Sequence, residues 1–164
     1  AELDFGELAG RDSPRLNAFH KACGDAGIQS YLVDDIEVAI WLKLAILAPF
    51  ADVCCLTRQP GRIMIEYPHV QEIAFAAMRE VIAVAEAKGV PLPPDALQSR
   101  MDMMNGFANA KPSMLHDLEA GKRIELDGPR GAVVAMGREL GVPTPVHQVV
   151  YAALKPYVNG PPGD

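Results

Sequence analysis

The stretch Val38-Ala39-Ile40-Trp41-Leu42-Lys43-Leu44-Ala45-Ile46-Leu47-Ala48-Pro49-Phe50-Ala51-Asp52-Val53-Cys54-Cys55-Leu56 decides how the chain folds. Its only charges are Lys43 and Asp52, and Pro49 interrupts it. A lone membrane span would have to hold both charges in hydrocarbon, which is costly. The interior of a helical protein is the better place for it. The stretch therefore reads as a long buried helix, capped by Asp34 or Asp35 and kinked or broken at Pro49.

Downstream of this helix the pattern stays helical. Val70, Ile73, Ala74, Ala77, Met78, Val81 and Ile82 recur at the three-and-four spacing of an amphipathic helix that Gly89 and Pro91 end. Pro93-Pro94-Asp95 opens another helix. Shorter ones are expected over 113–119, 131–140 and 147–157, with a disordered tail over 160–164. Upstream the character changes. Leu3-Asp4-Phe5 reads as a strand, Ser13-Pro14 as a helix start with Ser13 as N-cap, and Ile28 to Val33 as a second strand. Residues 1–33 are thus strand–helix–strand, a piece of an α/β sheet too small to stand alone.

Composition narrows the functional classes. With 49% apolar and 22% charged residues in 164, the chain has enough carbon for one core and is not generally disordered. A net charge of −6 offers no footprint for a phosphate backbone, so nucleic acid is not expected as a partner. Cys23, Cys54 and Cys55 read as small buried hydrophobes of a reducing cytoplasm, and His20, His69, His116 and His147 are too scattered for a metal site. Residues 1–12 carry no signal-peptide pattern.

Two places draw attention for chemistry. Lys43 has apolar neighbours on every side, so its ammonium must snorkel to water, pair with an acid, or face a cleft where it serves as a proton donor. Ser113, after Lys111-Pro112, reads as an N-cap, and Glu125 and Asp127 as capping acids of the next helix. No Gly-rich phosphate loop, Walker sequence or nucleophile elbow is present.

These stretches also carry a resemblance. Asp35-Ile36, Trp41-Leu42-Lys43-Leu44, the run Lys111 to Gly121, Glu125-Leu126-Asp127, Gly131, and Gly137-Arg138-Glu139-Leu140-Gly141-Val142-Pro143-Thr144-Pro145 together resemble the ketopantoate reductase (2-dehydropantoate 2-reductase) family. They fall in the same order and at the same spacing across essentially the whole chain. Phe5-Gly6-Glu7 and its surroundings resemble the end of that family's nucleotide-binding domain. The resemblance implies a mainly α protein. Residues 34–159 would be an all-helical substrate and dimerisation domain of the 6-phosphogluconate dehydrogenase C-terminal-like type, and residues 1–33 the tail of a Rossmann domain.

It further implies a cytoplasmic homodimeric enzyme that reduces a small 2-oxo acid, ketopantoate, with NADPH on the way to pantothenate. Lys43 would be the general acid, Ser113 a substrate-binding residue and Glu125 a cofactor-binding residue. Most of the NADPH site would lie in a missing N-terminal half, leaving this chain alone inactive. Two features depart from the family. Leu47 and Ala51 stand where it presents substrate-holding asparagines, pointing to a less polar ketone. Arg130 also replaces an asparagine; it is expected to face solvent, with carboxylate binding as the alternative. A non-catalytic helical module for dimerisation or ligand binding is the competing reading.

Overall fold

A computed structural model describes residues 2–8 and 12–162. The chain forms two compact units, residues 1–41 and 42–164, with the division inside one helix. In the first, strand β1 (Glu2–Phe5) pairs in parallel with β2 (Gln29–Leu32), Glu2 opposite Gln29 and Phe5 opposite Leu32. Parallel strands need a crossover, and helix α1 (Pro14–Asp25) supplies it. Its start is the expected one. The Ser13 hydroxyl accepts from the Leu16 N–H at 3.2 Å, and Pro14 occupies the first turn. Glu7 accepts from the Ser13 hydroxyl and from the Arg15 guanidinium, which together hold its carboxyl down at about 2. Leu3, Phe19, Tyr31 and Leu32 are exposed and Cys23 is the buried residue of α1, so this unit covers little of its own apolar surface.

Helix α2 (Ile36–Thr57) is the long helix expected from the opening stretch. Asp35, rather than Asp34, caps it: its Oδ1 accepts from the Glu37 and Val38 N–H groups at 3.0 and 3.1 Å. The helix runs unbroken through Pro49. An internal proline costs about 3 kcal/mol in an isolated helix. Here Ala45, Ile46, Ala48, Phe50, Val53 and Cys54 are buried around it, and their burial outweighs that cost. By length and composition α2 would also suit a membrane, but most of it is buried within the protein.

The rest of the second unit is helical: α3 (Ile63–Glu66), α4 (Pro68–Ala87), α5 (Ala96–Met103), a 3-10 turn over Met104–Phe107, α6 (Ser113–Glu119), α7 (Pro129–Leu140), α8 (Pro145–Leu154) and a final 3-10 turn, Lys155–Tyr157. Helix α4 is central, packing on α5, α7 and α8, and its Ala74, Met78, Val81 and Val84 are fully buried. The core joins Ala74 and Met78 to Ile46, Phe50 and Cys54 of α2, and to Leu115, Ile124, Leu126 and Val150. The mainly α class with a strand–helix–strand entry is as expected; α3 and the turn at Met104 were not foreseen.

At the end of α7, Gly141 takes φ 70° and the Val142 N–H reaches back to the Gly137 carbonyl at 2.8 Å, closing the helix with a left-handed cap. Gly137 permits this turn, because a Cβ there would lie 2.7 Å from Thr144 Cγ2. Cys54 and Cys55 are buried free thiols that desolvation pushes up to about 12, in keeping with their reading as hydrophobes. Gly160 is buried and Pro161 lies against Gly121, whereas residues 163 and 164 of the expected tail, like 9–11 of the loop after β1, lie outside the described residues.

Candidate active site

A groove of ≈ 970 Å³ opens on the second unit between α2, the start of α6 and the segment leading into α7. That volume lies in the range of small-molecule sites. Leu47 and Ala51 of α2 form one wall, so the positions that resemble the family's asparagines do face the groove, as apolar side chains. Leu47 is 37% exposed there.

Ser113 and Glu125 both line this groove. Pro112 holds the cap position of α6 with extended backbone, leaving Ser113 in the first turn, its side chain not used as a cap. Its hydroxyl has no partner among the described residues, so the N-cap expected of Ser113 is corrected and the group is free to meet a ligand. The Glu125 side chain likewise has no partner among the described residues. Asp127 does not cap α7 either. Gly128 takes that position, while Asp127 accepts from Lys155 Nζ and the Tyr151 hydroxyl, both at 2.5 Å, which hold its carboxyl below the usual range.

Lys43 is exposed and does not line the groove; it sits one helical turn before Leu47 on the same face of α2. No carboxylate among the described residues pairs with it. Of its three expected fates, pairing with an acid is the one this arrangement lacks.

Arg130 overturns its expectation most clearly. Instead of facing solvent it is 5% exposed, and its Nε donates to Asp52, the acid buried in α2. Its Nη1 and Nη2 reach the carbonyls of Glu125 and Ala48 at 3.4 and 3.3 Å. The reason is electrostatic: Asp52 is fixed in the core by its place on an apolar helix, and a buried carboxylate needs a cation. Burial pushes the Asp52 carboxyl up, while Arg130 and then His147 pull it down.

Behind this pair lies a second one. Glu80 of α4 accepts from the Val146 and His147 N–H groups at 2.7 and 3.0 Å and lies 2.7 Å from His147 Nδ1. A side chain from another helix thus satisfies the first turn of α8, where Thr144 makes no side-chain cap bond. His147 Nε2 and Asp52 Oδ2 face each other at 3.8 Å, each without a hydrogen bond. Sequence reasoning missed this network. Its one legible signal was Asp52, a charge in an apolar helix that demanded a partner.

Residues 35–158 match the model of the C-terminal domain of ketopantoate reductase PanE/ApbA. The chain belongs to the ketopantoate reductase family. Among curated relatives, it is 35% identical over 124 residues to a 2-dehydropantoate 2-reductase of Pyrobaculum aerophilum, covering 76% of this chain and 44% of that one. A second, from Archaeoglobus fulgidus, is 30% identical over 155 residues, covering 94% and 52%. The crystal structure of 2-dehydropantoate 2-reductase from Methylococcus capsulatus superposes with a TM-score of 0.82 at 30% identity, over 93% of this chain and 49% of that one. The chain spans about half the length of the curated relatives it matches.

Proposed function

We propose that this chain is the substrate-binding and dimerisation part of a cytoplasmic NADPH-dependent 2-oxo acid reductase that converts ketopantoate to pantoate. Residues 1–33 would belong to its nucleotide-binding domain and 34–159 to its helical domain. The observation that carries this reading is the groove that brings the unpartnered Ser113 hydroxyl and Glu125 carboxylate together beside α2. The exposed apolar residues of the two-stranded sheet support a place for residues 1–33 within a larger sheet.

NADPH, when bound, supplies hydride to the ketone carbon. The groove has room and a free carboxylate for the nicotinamide end of such a group, with Glu125 as its holder. No Gly-rich phosphate loop occurs in the sequence, so this chain by itself is expected not to turn over. Ser113 would donate a hydrogen bond to the 2-oxo acid. As the ketone carbon is reduced, its oxygen gains negative charge, and a nearby ammonium both stabilises that charge and delivers the proton. Lys43 is the candidate, since it lies on the groove-facing side of α2 one turn before Leu47 and has no acid to neutralise it.

A second reading concerns the substrate alone. Leu47 and Ala51 in the groove wall favour a 2-oxo acid less polar than ketopantoate. Both readings are tested by NADPH consumption in the intact protein with ketopantoate and a panel of other 2-oxo acids. Turnover of ketopantoate supports the first; turnover restricted to apolar 2-oxo acids supports the second. Lys43→Ala should abolish turnover while sparing NADPH binding, and retained turnover would remove Lys43 from the role. An intact protein inert toward every 2-oxo acid would leave the non-catalytic module standing.

A further inference from the structure

Arg130 lines the groove, yet its side chain is only 7% exposed. A guanidinium has five N–H groups. Asp52, the Glu125 carbonyl and the Ala48 carbonyl take three of them in Arg130, leaving one on each Nη without a partner among the described residues. Asp52 accordingly holds the guanidinium through Nε, and one hydrogen on each Nη is left over. In a water-poor wall, such donors bind an anion more strongly than a solvated arginine does. Arg123 also lines the groove, but it is exposed, so ordering it on a ligand costs side-chain entropy that Arg130 has already lost in folding.

The remaining chemistry of the wall is complementary. Ser113 offers a free hydroxyl, and Leu47, Phe50, Ala51 and Ile124 offer apolar surface. We infer that Arg130, oriented by Asp52, anchors the carboxylate of the substrate, and that the apolar wall beside it selects a 2-oxo acid with a hydrocarbon side chain. This rests on the reading of the groove as a 2-oxo acid site. Arg130 is then a specificity-determining residue, and Asp52 a positioning residue that acts through it.

The test uses the intact protein, with sodium 3-methyl-2-oxobutanoate as probe and its methyl ester as the uncharged counterpart. Binding is followed by 15N–1H NMR, including the Nε–Hε signal of Arg130. The acid should bind about tenfold or more tightly than the ester, the difference a charge-assisted hydrogen bond makes. The Arg130 signal should move with the acid and not with the ester. Arg130→Lys should reduce the preference, and the paired change Asp52→Asn with Arg130→Gln, which strands no single buried charge, should abolish it; Arg123→Ala should leave it intact. Equal binding of acid and ester, or an unmoved Arg130 signal in the unmutated chain, overturns the role of Arg130 and leaves the groove standing as a ketone site. Binding of neither probe overturns both.

Discussion

Replacing Glu80 by alanine tests the packing argument most directly. The carboxylate of Glu80 meets three donors at the start of α8: the Val146 N–H at 2.7 Å, the His147 N–H at 3.0 Å and His147 Nδ1 at 2.7 Å. His147 is fully buried and Glu80 nearly so, so the lost acceptor is one that bulk solvent does not freely replace. A buried donor left unpaired costs ~1–3 kcal/mol, and losing an N-cap alone costs about 1 kcal/mol. Glu80→Ala should thus remove ~3–5 kcal/mol, a large part of the roughly 5–15 kcal/mol that holds a domain together. Glu80→Gln keeps one carbonyl oxygen but sets an amide NH2 against a donor, and should cost ~1–3 kcal/mol. Urea unfolding followed by far-UV circular dichroism reads both, with the midpoint moving at constant slope. A loss below ~1 kcal/mol for Glu80→Ala, or equal losses for Ala and Gln, would refute the claim that this side chain caps α8.

Two further outcomes are expected. Leu47→Asn with Ala51→Asn, made in the intact enzyme, should raise kcat/KM for ketopantoate relative to 3-methyl-2-oxobutanoate by ~10-fold or more, because a site built to hydrogen-bond a hydroxyl discriminates strongly on it; an unchanged ratio would show that these positions do not meet the substrate side chain. Burial raises the Cys54 and Cys55 thiols from their ordinary 9.0 to about 12, so the native state holds protons that the unfolded chain releases. Their contribution to stability is complete below pH 9.0 and is lost as pH rises toward about 12, so the urea midpoint should fall through that window, and a Cys54→Ala, Cys55→Ala chain should show a shallower fall.

Much of this fold was legible because it depends on local patterns. The apolar continuity of α2, the three-and-four spacing of α4 and the Gly141 stop after α7 each need only neighbouring residues to be read. What escaped depends on partners far along the chain. Asp52 and Arg130 are 78 positions apart, and Glu80 and His147 are 67 apart. Periodicity gives the face a residue occupies, not the group that meets it across an interface. The capping role expected of Ser113 fails for a smaller reason: the proline one position earlier takes the extended cap conformation, which leaves the serine in the first turn. That position leaves its hydroxyl free for the groove.

The Asp52–Arg130 pair gives the clearest link between packing and function. A buried ion pair is weak evidence for stability, because withdrawing two charges from water costs about as much as their attraction returns. An apolar pair of similar volume would fill the same space without that cost. Stability alone therefore gives no reason for a charge pair between α2 and α7. The groove does. It places Arg130 in the wall beside Leu47 and Ala51, so the polarity absent from those two positions of α2 is present one layer behind them, as a guanidinium whose orientation the core sets. On this argument, the paired Asp52→Asn, Arg130→Gln chain should unfold at a urea concentration close to that of the parent while losing its preference for a carboxylate. A chain that instead lost stability and kept the preference would reverse the assignment, making the pair a strut and the groove indifferent to charge.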